Sequence, residues 1–361
     1  MVYHVHDASN RAAPAFYAPN MATDSIGPVG YVGIGGSERL KGFINIRVDS
    51  DQSVRNAVGV VQHGKQMIEN GDCTRLGYGQ VSRLSIRLVA SGSHMGALSE
   101  ELSKVGANVE AELPMHGRNR GYSIVYIGFN SSARGPSPHD SQLCLRNLEN
   151  ALRLTQDYTE LQRRLNEVSA AGHEVQVFTG NSVNDFRSGM GIRTASMTEL
   201  LIEAFGYDEA GAMRLMTNSG TVLAVATERG GNEAIAMSVI ESTIVAFDGR
   251  SMKLAELTDC VVRPDYRNNG LGRGLILSTV TGLLDNHVRM NINEYDVLFA
   301  EANLRRPGML ETFTLQGWNY RGTLPNHAEI EGGLKCLAVM DISNIAMVRA
   351  SEFASLLRLR C

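Results

Sequence analysis

The chain has 361 residues and a formal net charge of −4, which does not suit a general nucleic-acid binder, because such proteins are usually basic. Its length predicts about two domains, and either half is long enough to bury a core. Hydrophobic residues make up 43% and charged residues 20% of the sequence, as is ordinary for a soluble globular protein. There is no apolar run of 18 residues, so we expect no membrane partner. The negative net charge likewise leads us to expect no nucleic-acid partner.

The N-terminus and the cysteines predict a cytoplasmic protein. The opening residues, MVYHVHDASNRAAP, lack the basic and apolar regions of a signal peptide. The cysteines are scattered and form no C-x-x-C pair: Cys73, Cys144, Cys260, Cys336 and Cys361. We therefore expect reduced thiols and no metal site.

The N-terminal part of the chain is predicted to be an irregular segment followed by a small α/β unit. Residues 1–40 are rich in Gly, Pro and Asn. The glycines between Gly30 and Gly36 favour a loop or hairpin turn over a nucleotide-binding loop, because no strand-turn-helix pattern surrounds them. Periodicity then predicts strand 42–49, helix 56–70, strand 84–89, helix 94–105 with Gly106 as its C-cap, and strands 109–113 and 122–129.

A linker over residues 130–140 and a long bridging helix over 143–168 are predicted to connect this unit to a second one. The second unit is predicted as strand 173–179, helix 197–205, strands 222–227, 234–245 and 253–262, helix 271–284, strand 297–302, helix 307–316, strands 318–324 and 337–341, and helix 344–357.

The stretch DCVVRPDYRNNGLGRGL, which joins a predicted strand to a predicted helix, is the most informative about function. A glycine-bearing turn before a helix is an anion site, since its backbone N–H groups and the helix dipole both favour negative charge. Arg267 and Arg273 add positive charge. The turn differs from the Walker loop and from the Rossmann fingerprint, and a structural turn is the alternative hypothesis.

The run R-x-x-G-x-G from Arg267 to Gly272 resembles the pyrophosphate-binding turn of the GNAT acetyltransferases, and the predicted element order over 173–341 is similar to their fold. The resemblance implies an α/β (α+β mixed-sheet) protein that uses acetyl-CoA as co-substrate. It also implies which residues contact the coenzyme: Cys260, Val261, Val262, Arg267, Asn268, Asn269, Gly270, Leu271, Gly272, Arg273 and Asn303.

The strand-helix-strand-strand order of the N-terminal unit resembles the second half of a GNAT domain, but no such turn precedes it. The expected organisation is an irregular segment (1–40), a degenerate GNAT-like α/β domain (41–129), a linker with a bridging helix (130–172), and a catalytic GNAT domain (173–361).

Acetyl transfer to an amine needs a group that accepts the amine's proton, and a carboxylate is the usual one. Glu256 lies eleven residues before Arg267, the spacing of the general-base glutamate in histone acetyltransferases of this superfamily. We therefore expect Glu256 to be the base or the anchor of the substrate ammonium; an exposed or salt-bridged strand residue is the alternative. In a regular strand Asp259 would point to the opposite face and would cap or bridge. Cys260 is expected to be a buried structural thiol.

Two further positions leave the mechanism open. The tyrosine that many family members use to protonate the leaving thiolate is absent, because Phe313 stands at its position, four residues before Gly317. The general acid is therefore unassigned. Asn303 is either a coenzyme contact or a turn residue.

A closer resemblance, to the β-lysine N6-acetyltransferases, is carried by residues 254–259, the turn, and the runs 308–313 and 317–326. It implies a diamino acid acceptor. The loop Asn326–Gly333 departs from that family's asparagine- and threonine-rich version, so a specialised-metabolite amine or a hydrazine competes. His327 in this loop is a candidate substrate contact, with a loop histidine satisfied by its surroundings as the alternative.

Three functions remain open from the sequence. The first is an acetyltransferase for a small amine, the second a protein lysine or N-terminal acetyltransferase, and the third a non-catalytic acyl-CoA-binding sensor. The sequence leaves the oligomeric state open, a homodimer included.

Overall fold

The computed structural model describes residues 30–34, 39–72, 81–116, 119–131, 138–154, 157, 159–160, 163, 172–179, 192–218, 220–247, 250–288, 295–330 and 333–342. They form a mixed α/β fold in which helices cover one twelve-stranded sheet.

The strands are β1 (Gly30–Ile34), β2 (Arg39–Val48), β3 (Arg83–Ser91), β4 (Asn108–Pro114), β5 (Tyr122–Asn130), β6 (His173–Thr179), β7 (Thr221–Glu228), β8 (Ala236–Phe247), β9 (Arg250–Val262), β10 (Val297–Asn303), β11 (Asn319–Ile330) and β12 (Gly333–Asp341). The helices are α1 (Asp51–Glu69), α2 (Met95–Lys104), α3 (Pro138–Leu152), α4 (Thr194–Phe205), α5 (Glu209–Thr217), α6 (Leu271–Val288) and α7 (Pro307–Leu315). None of these helices is both long and apolar enough to cross a membrane.

The strand order contains the same arrangement twice. The sheet runs β1-β2-β3-β5-β4-β11-β12-β10-β9-β8-β7-β6. From one edge towards the middle, the first five strands are β1-β2-β3-β5-β4. From the other side, after β6 and β7, the strands follow the equivalent order β8-β9-β10-β12-β11. Each set has one parallel pair, β2 with β3 and β9 with β10, connected through α1 and α6 respectively. We call β1–β5 with α1 and α2 the N-terminal repeat, and β8–β12 with α6 and α7 the C-terminal repeat.

The two repeats meet where β4 pairs with β11, at Ala111 and Gly322. Gly322 has φ +154°, and a Cβ at this residue would lie 2.0 Å from the carbonyl oxygen of Glu110. The chains approach so closely that a side chain is excluded, and glycine is therefore required at this junction.

The faces of the repeats also pack on each other. Val89 and Tyr126 of the N-terminal repeat belong to one hydrophobic cluster with Leu254, Phe299 and Val339 of the C-terminal repeat. The face of β9 and β10 that carries Leu254 and Phe299 is thus covered by the N-terminal repeat. Over β7 and β8 the same face is covered instead by α4 and α5.

Apart from three exceptions given below, the predicted elements between residues 42 and 341 are confirmed in order and type, with boundaries shifted by a few residues. Hydrophobic periodicity is a local property, and most of these segments are long enough to show it. The predicted helix 344–357 and most of residues 1–40 lie outside the described residues.

Four predictions about local structure were wrong. Residues 30–34, predicted to be irregular, form β1 by antiparallel pairing with β2, which tertiary context allows despite the glycines. Helix α5 was missed, although Asp208 caps it by accepting a hydrogen bond from the Gly211 N–H. Helix α3 begins at Pro138, inside the predicted linker, and ends at Leu152. Most of the predicted loop 326–333 is strand, in β11 and β12.

Candidate active site

The turn between β9 and α6 has the backbone geometry of a tight glycine turn. Asn268 and Gly270 have positive φ, 67° and 81°, a region that glycine and asparagine tolerate best. The Arg267 Nε–H donates to the Val262 carbonyl oxygen at 3.1 Å, so this side chain folds back over the end of β9. A role of Arg267 and this turn in binding an anion stays a prediction.

The first turn of α6 is held by its neighbours. The side-chain oxygen of Asn269 accepts a hydrogen bond from the Leu271 N–H at 3.2 Å, and Leu271 packs in a core cluster with β7 and β8. A Cβ on Gly272 would lie 3.5 Å from Val262 Cγ2, an ordinary contact. Arg273 donates to Glu311 of α7 at 2.9 Å, so a carboxylate offsets part of the positive charge expected at the turn.

Strands β9 and β10 separate just before this turn. Their parallel ladder ends at Leu257 and Ala300, yet both strands continue, to Val262 and Asn303. A notch opens between them at the carboxyl ends of two parallel strands, where open α/β sheets bind ligands. The backbone of Cys260–Val262 forms one edge of this notch and could pair with an extended ligand as an added strand does.

A β-bulge at Thr258 reverses the predicted orientation of Asp259. Ile240 pairs with Leu257 but Val239 pairs with Asp259, so one extra residue is inserted on β9. An inserted residue shifts every following side chain to the other face. Asp259 therefore shares a face with Glu256, and the expectation that it points away was wrong.

Glu241, Glu256 and Asp259 thus lie on one face of β8 and β9, and we call them the acidic face. Glu241 and Glu256 are directly opposite each other, where like charges repel. Burial raises the pKa of Glu241 to about 7, and the charge of Asp259 contributes. Burial raises the pKa of Asp259 to about 6, although a hydrogen bond from the Tyr207 hydroxyl at 3.1 Å opposes the rise.

The acidic face is positioned between α4–α5 on one side and the N-terminal repeat on the other. Thr221 of β7 is the cross-strand neighbour of Glu241, and its buried hydroxyl has no hydrogen-bond partner within the described part of the chain. That part contains no group of three His, Cys, Asp or Glu side chains arranged to hold a metal ion.

The N-terminal repeat contributes Arg87 to this site, which the sequence analysis missed. Arg87 Nη2 donates to Glu301 at 2.5 Å, and Nη1 lies 3.8 Å from a Glu256 carboxylate oxygen. The guanidinium also lies over the rings of Tyr126 and Phe299, 4.6 and 5.6 Å from their centroids. The Glu256 side chain is 28% exposed and is paired with Arg87. This contact agrees with the alternative hypothesis of a salt-bridged strand residue.

His327 lies in a buried network that joins the repeats. Its Nδ1 is 3.2 Å from Arg83 Nη2 and its Nε2 is 3.7 Å from a Glu301 oxygen. Arg83 is fully buried and forms a two-point contact with the Glu110 carboxylate at 3.1 and 2.5 Å. A role of His327 in substrate binding stays a prediction.

The remaining predicted residues have defined surroundings. Burial raises the pKa of Cys260 to about 12, which suits a structural thiol. The side-chain oxygen of Asn303 accepts a hydrogen bond from the Arg305 N–H at 3.0 Å, so it forms a turn; coenzyme contact stays a prediction. Phe313 is fully buried, with its ring 4.6 Å from that of Trp318, and it offers no acidic hydrogen.

The chain matches no protein-family model and no curated protein. It is similar to several solved structures, each covering about half of it. NAA60 from Arabidopsis thaliana in complex with a bisubstrate analogue has 12% identity over 47% of this chain and 97% of that one, with a TM-score of 0.34.

Two further similar structures cover the same share. Spermidine N-acetyltransferase from Vibrio cholerae, in complex with CoA and spermine, has 13% identity over 49% of this chain and 99% of that one, with a TM-score of 0.33. An acetyltransferase of the GNAT family from Streptococcus pneumoniae has 14% identity over 47% and 98%, with a TM-score of 0.33. Similarity at this level assigns neither an activity nor a substrate to this chain.

Proposed function

We propose that this protein is an acetyl-CoA-dependent N-acetyltransferase for the amine of a small polar metabolite, with its catalytic domain in residues 173–361. The observation that carries the proposal is the separation of β9 from β10 directly before the R-x-x-G-x-G turn. A notch that suits an extended chain thus lies next to a helix N-terminus that suits a diphosphate. In acetyl-CoA the pantetheine arm and the diphosphate follow each other in the same order.

In this proposal the turn from Arg267 to Gly272 binds the coenzyme diphosphate. At the start of α6 the Leu271, Arg273 and Gly274 N–H groups donate to Asn269 and Gly270. The Gly272 N–H has no acceptor within the helix, and the helix dipole favours anions there. The pantetheine arm lies along Cys260–Val262, where a backbone N–H polarises the thioester carbonyl.

Glu256 is proposed to accept the proton of the reacting amine, or to anchor its ammonium form. The amine nitrogen attacks the thioester carbonyl carbon, its proton passes to the Glu256 carboxylate, the carbon–sulfur bond breaks, and the leaving thiolate takes up a proton. Phe313 cannot supply that last proton, so water or another group must.

A small acceptor is favoured because the face of the sheet that carries Glu256 is covered on both sides of the acidic face. The N-terminal repeat packs over Leu254 and Phe299, and α4 and α5 pack over Val239, leaving the acidic face between them. Candidates include a diamino acid such as β-lysine, a specialised-metabolite amine and a hydrazine. We further propose that residues 41–129 are a degenerate GNAT-like domain and that the enzyme acts in the cytoplasm.

The test is thiol release from acetyl-CoA across small amines, diamino acids, hydrazines and lysine peptides. We expect turnover with a small amine. Turnover confined to peptides would instead support a protein acetyltransferase. Coenzyme binding in calorimetry without turnover on any amine would support a sensor.

A further inference from the structure

We propose that Arg87 determines acceptor specificity by binding a carboxylate, so that the acceptor is an amine that also carries an anionic group. The inference rests on the proposed function and deepens it, because it names the acceptor class and assigns the N-terminal repeat a part in recognition.

The structure holds the Arg87 guanidinium in a fixed place. It lies over the faces of Tyr126 and Phe299, 4.6 and 5.6 Å from their centroids, contacts that favour a cation. The hydrogen bond to Glu301 at 2.5 Å sets the direction of the planar group. Glu301 in turn lies 3.7 Å from His327, within the network that joins the repeats.

Besides its hydrogen bond to Glu301 and its ion pair with Glu256, the fixed guanidinium retains N–H donors for a bound carboxylate. It has five N–H donors, and its bond to Glu301 involves Nη2. Its Nη1 is 3.8 Å from the nearest Glu256 oxygen, which is beyond hydrogen-bond distance. A guanidinium edge of this kind matches a carboxylate with two parallel hydrogen bonds.

The acidic face has the Arg87 cation at the Glu256 end and carboxylates at the Asp259 end. Arg87 lies beside Glu256, whereas Asp259 lies further along β9 on the same face. Glu256 and Asp259 are separated by roughly 7 Å, because their partners Glu241 and Val239 are two residues apart on β8. The repulsion between Glu241 and Glu256 is relieved by a bound cation.

An acceptor with its carboxylate at Arg87 and its amine at the acidic face satisfies both ends. A polyamine would bring a cation against the Arg87 guanidinium, which it would repel. An amino acid, which carries an amine and a carboxylate on one molecule, is therefore the class that fits.

The experiment compares each amino acid with its decarboxylated partner, lysine with cadaverine and ornithine with putrescine. We expect wild-type kcat/KM to favour the amino acid. Arg87→Gln should lower the ratio of kcat/KM for the amino acid to kcat/KM for the diamine about 10- to 100-fold, as for loss of a hydrogen-bonded charge. Arg87→Lys, which keeps the charge but not the planar fork, should fall between the two.

The matched control is Arg47→Gln, since Arg47 of β2 also lies over an aromatic ring, that of Tyr122 at 5.7 Å, and pairs with an acid, Asp49. Arg47→Gln should change kcat/KM for neither the amino acid nor the diamine. An equal loss on amino acid and diamine in Arg87→Gln would show a structural role and overturn the inference, as would a wild-type preference for diamines.

Absence of thiol release with every amine is the failure of the proposed function, and calorimetry separates it from failure of the inference. Lysine and cadaverine are titrated into CoA-loaded protein. Lysine binding that is lost in Arg87→Gln supports the inference without turnover. Lysine binding that is absent, or equal in both proteins, overturns it.

Discussion

At the scale of single residues, Glu256 occupies the centre of the candidate site, between the Arg87 guanidinium and the Glu241 carboxylate. A nearby cation favours the ionised carboxylate, whereas a nearby carboxylate disfavours it. Glu256 thus has a cation on one side and a carboxylate on the other, a position that suits either a base or an ammonium anchor.

The first prediction concerns Glu256→Gln. The amide cannot accept the proton of the amine, so kcat should fall by about 10²- to 10⁴-fold, while CoA affinity measured by calorimetry stays the same. Glu203→Gln, on an exposed part of α4, is the control and should change neither quantity. Unchanged turnover in Glu256→Gln would remove this residue from the mechanism.

The second prediction concerns pH and Glu241. Burial raises the pKa of Glu241 to about 7 in the folded protein, above its unfolded value of about 4.3. Between these values the folded state binds more protons, so the free energy of unfolding decreases as pH rises through this window. The favourable contribution is complete below about pH 4 and is lost above about pH 7.

Glu241→Gln should therefore raise the melting temperature at pH 8 and leave it nearly unchanged at pH 4.5. The shift corresponds to a gain on the order of 3 kcal/mol at most, because the neutral amide does not lose charge solvation. Thermal unfolding of the variant, the wild type and Glu203→Gln at both pH values measures it. An equal effect at both pH values would show that charge is not the cause.

At the scale of elements, the two glycines in the turn before α6 tolerate a side chain to different degrees. Gly270 has φ 81°, so any side chain there strains the backbone and disturbs folding as well as binding. Gly272 has room for a Cβ at ordinary contact distance. Gly272 is therefore the better position at which to test the coenzyme site.

The third prediction is that Gly272→Asp abolishes CoA binding in calorimetry, because its carboxylate would stand where the diphosphate is expected and would repel it. Gly272→Ala adds only the Cβ and should retain the fold, with a smaller loss of affinity. Near-normal affinity in Gly272→Asp, with the melting temperature retained, would mean that the diphosphate binds elsewhere.

At the scale of the whole molecule, the repeats form one continuous sheet and share one core cluster. Their junction at β4 and β11 brings Arg83, Glu110 and His327 together. Because Arg87 reaches Glu256 across the same boundary, a defect at the junction should disturb the candidate active site as well as stability.

The fourth prediction is that Gly322→Ala lowers the free energy of unfolding by on the order of 3 kcal/mol, as a Cβ would overlap the Glu110 carbonyl oxygen at 2.0 Å. Gly121→Ala is the control, since Gly121 also has positive φ, 96°, but nothing lies within 4 Å of its Cβ position. It should cost about 1–2 kcal/mol from backbone strain alone. Urea unfolding of both variants measures the difference, and equal losses would contradict the close approach.

The sequence by itself determined most of the order of the elements and the position of the glycine-bearing turn before α6. Both are local: hydrophobic periodicity over ten or so residues specifies a strand or helix, and the turn from Arg267 to Gly272 lies between neighbouring elements. Even the Arg83–Arg87 spacing carried a signal, since it places two charges on one face of a strand whose other face is apolar.

Only the tertiary structure decided which residues meet at the site. Arg87 and Glu256 are 169 positions apart in the chain, and no local pattern encodes a contact at that separation. The bulge at Thr258 turned Asp259 onto the acidic face, because a single inserted residue reverses the alternation of side chains along a strand without changing the composition. The duplicated strand order likewise emerged from pairing between distant strands, which periodicity does not report.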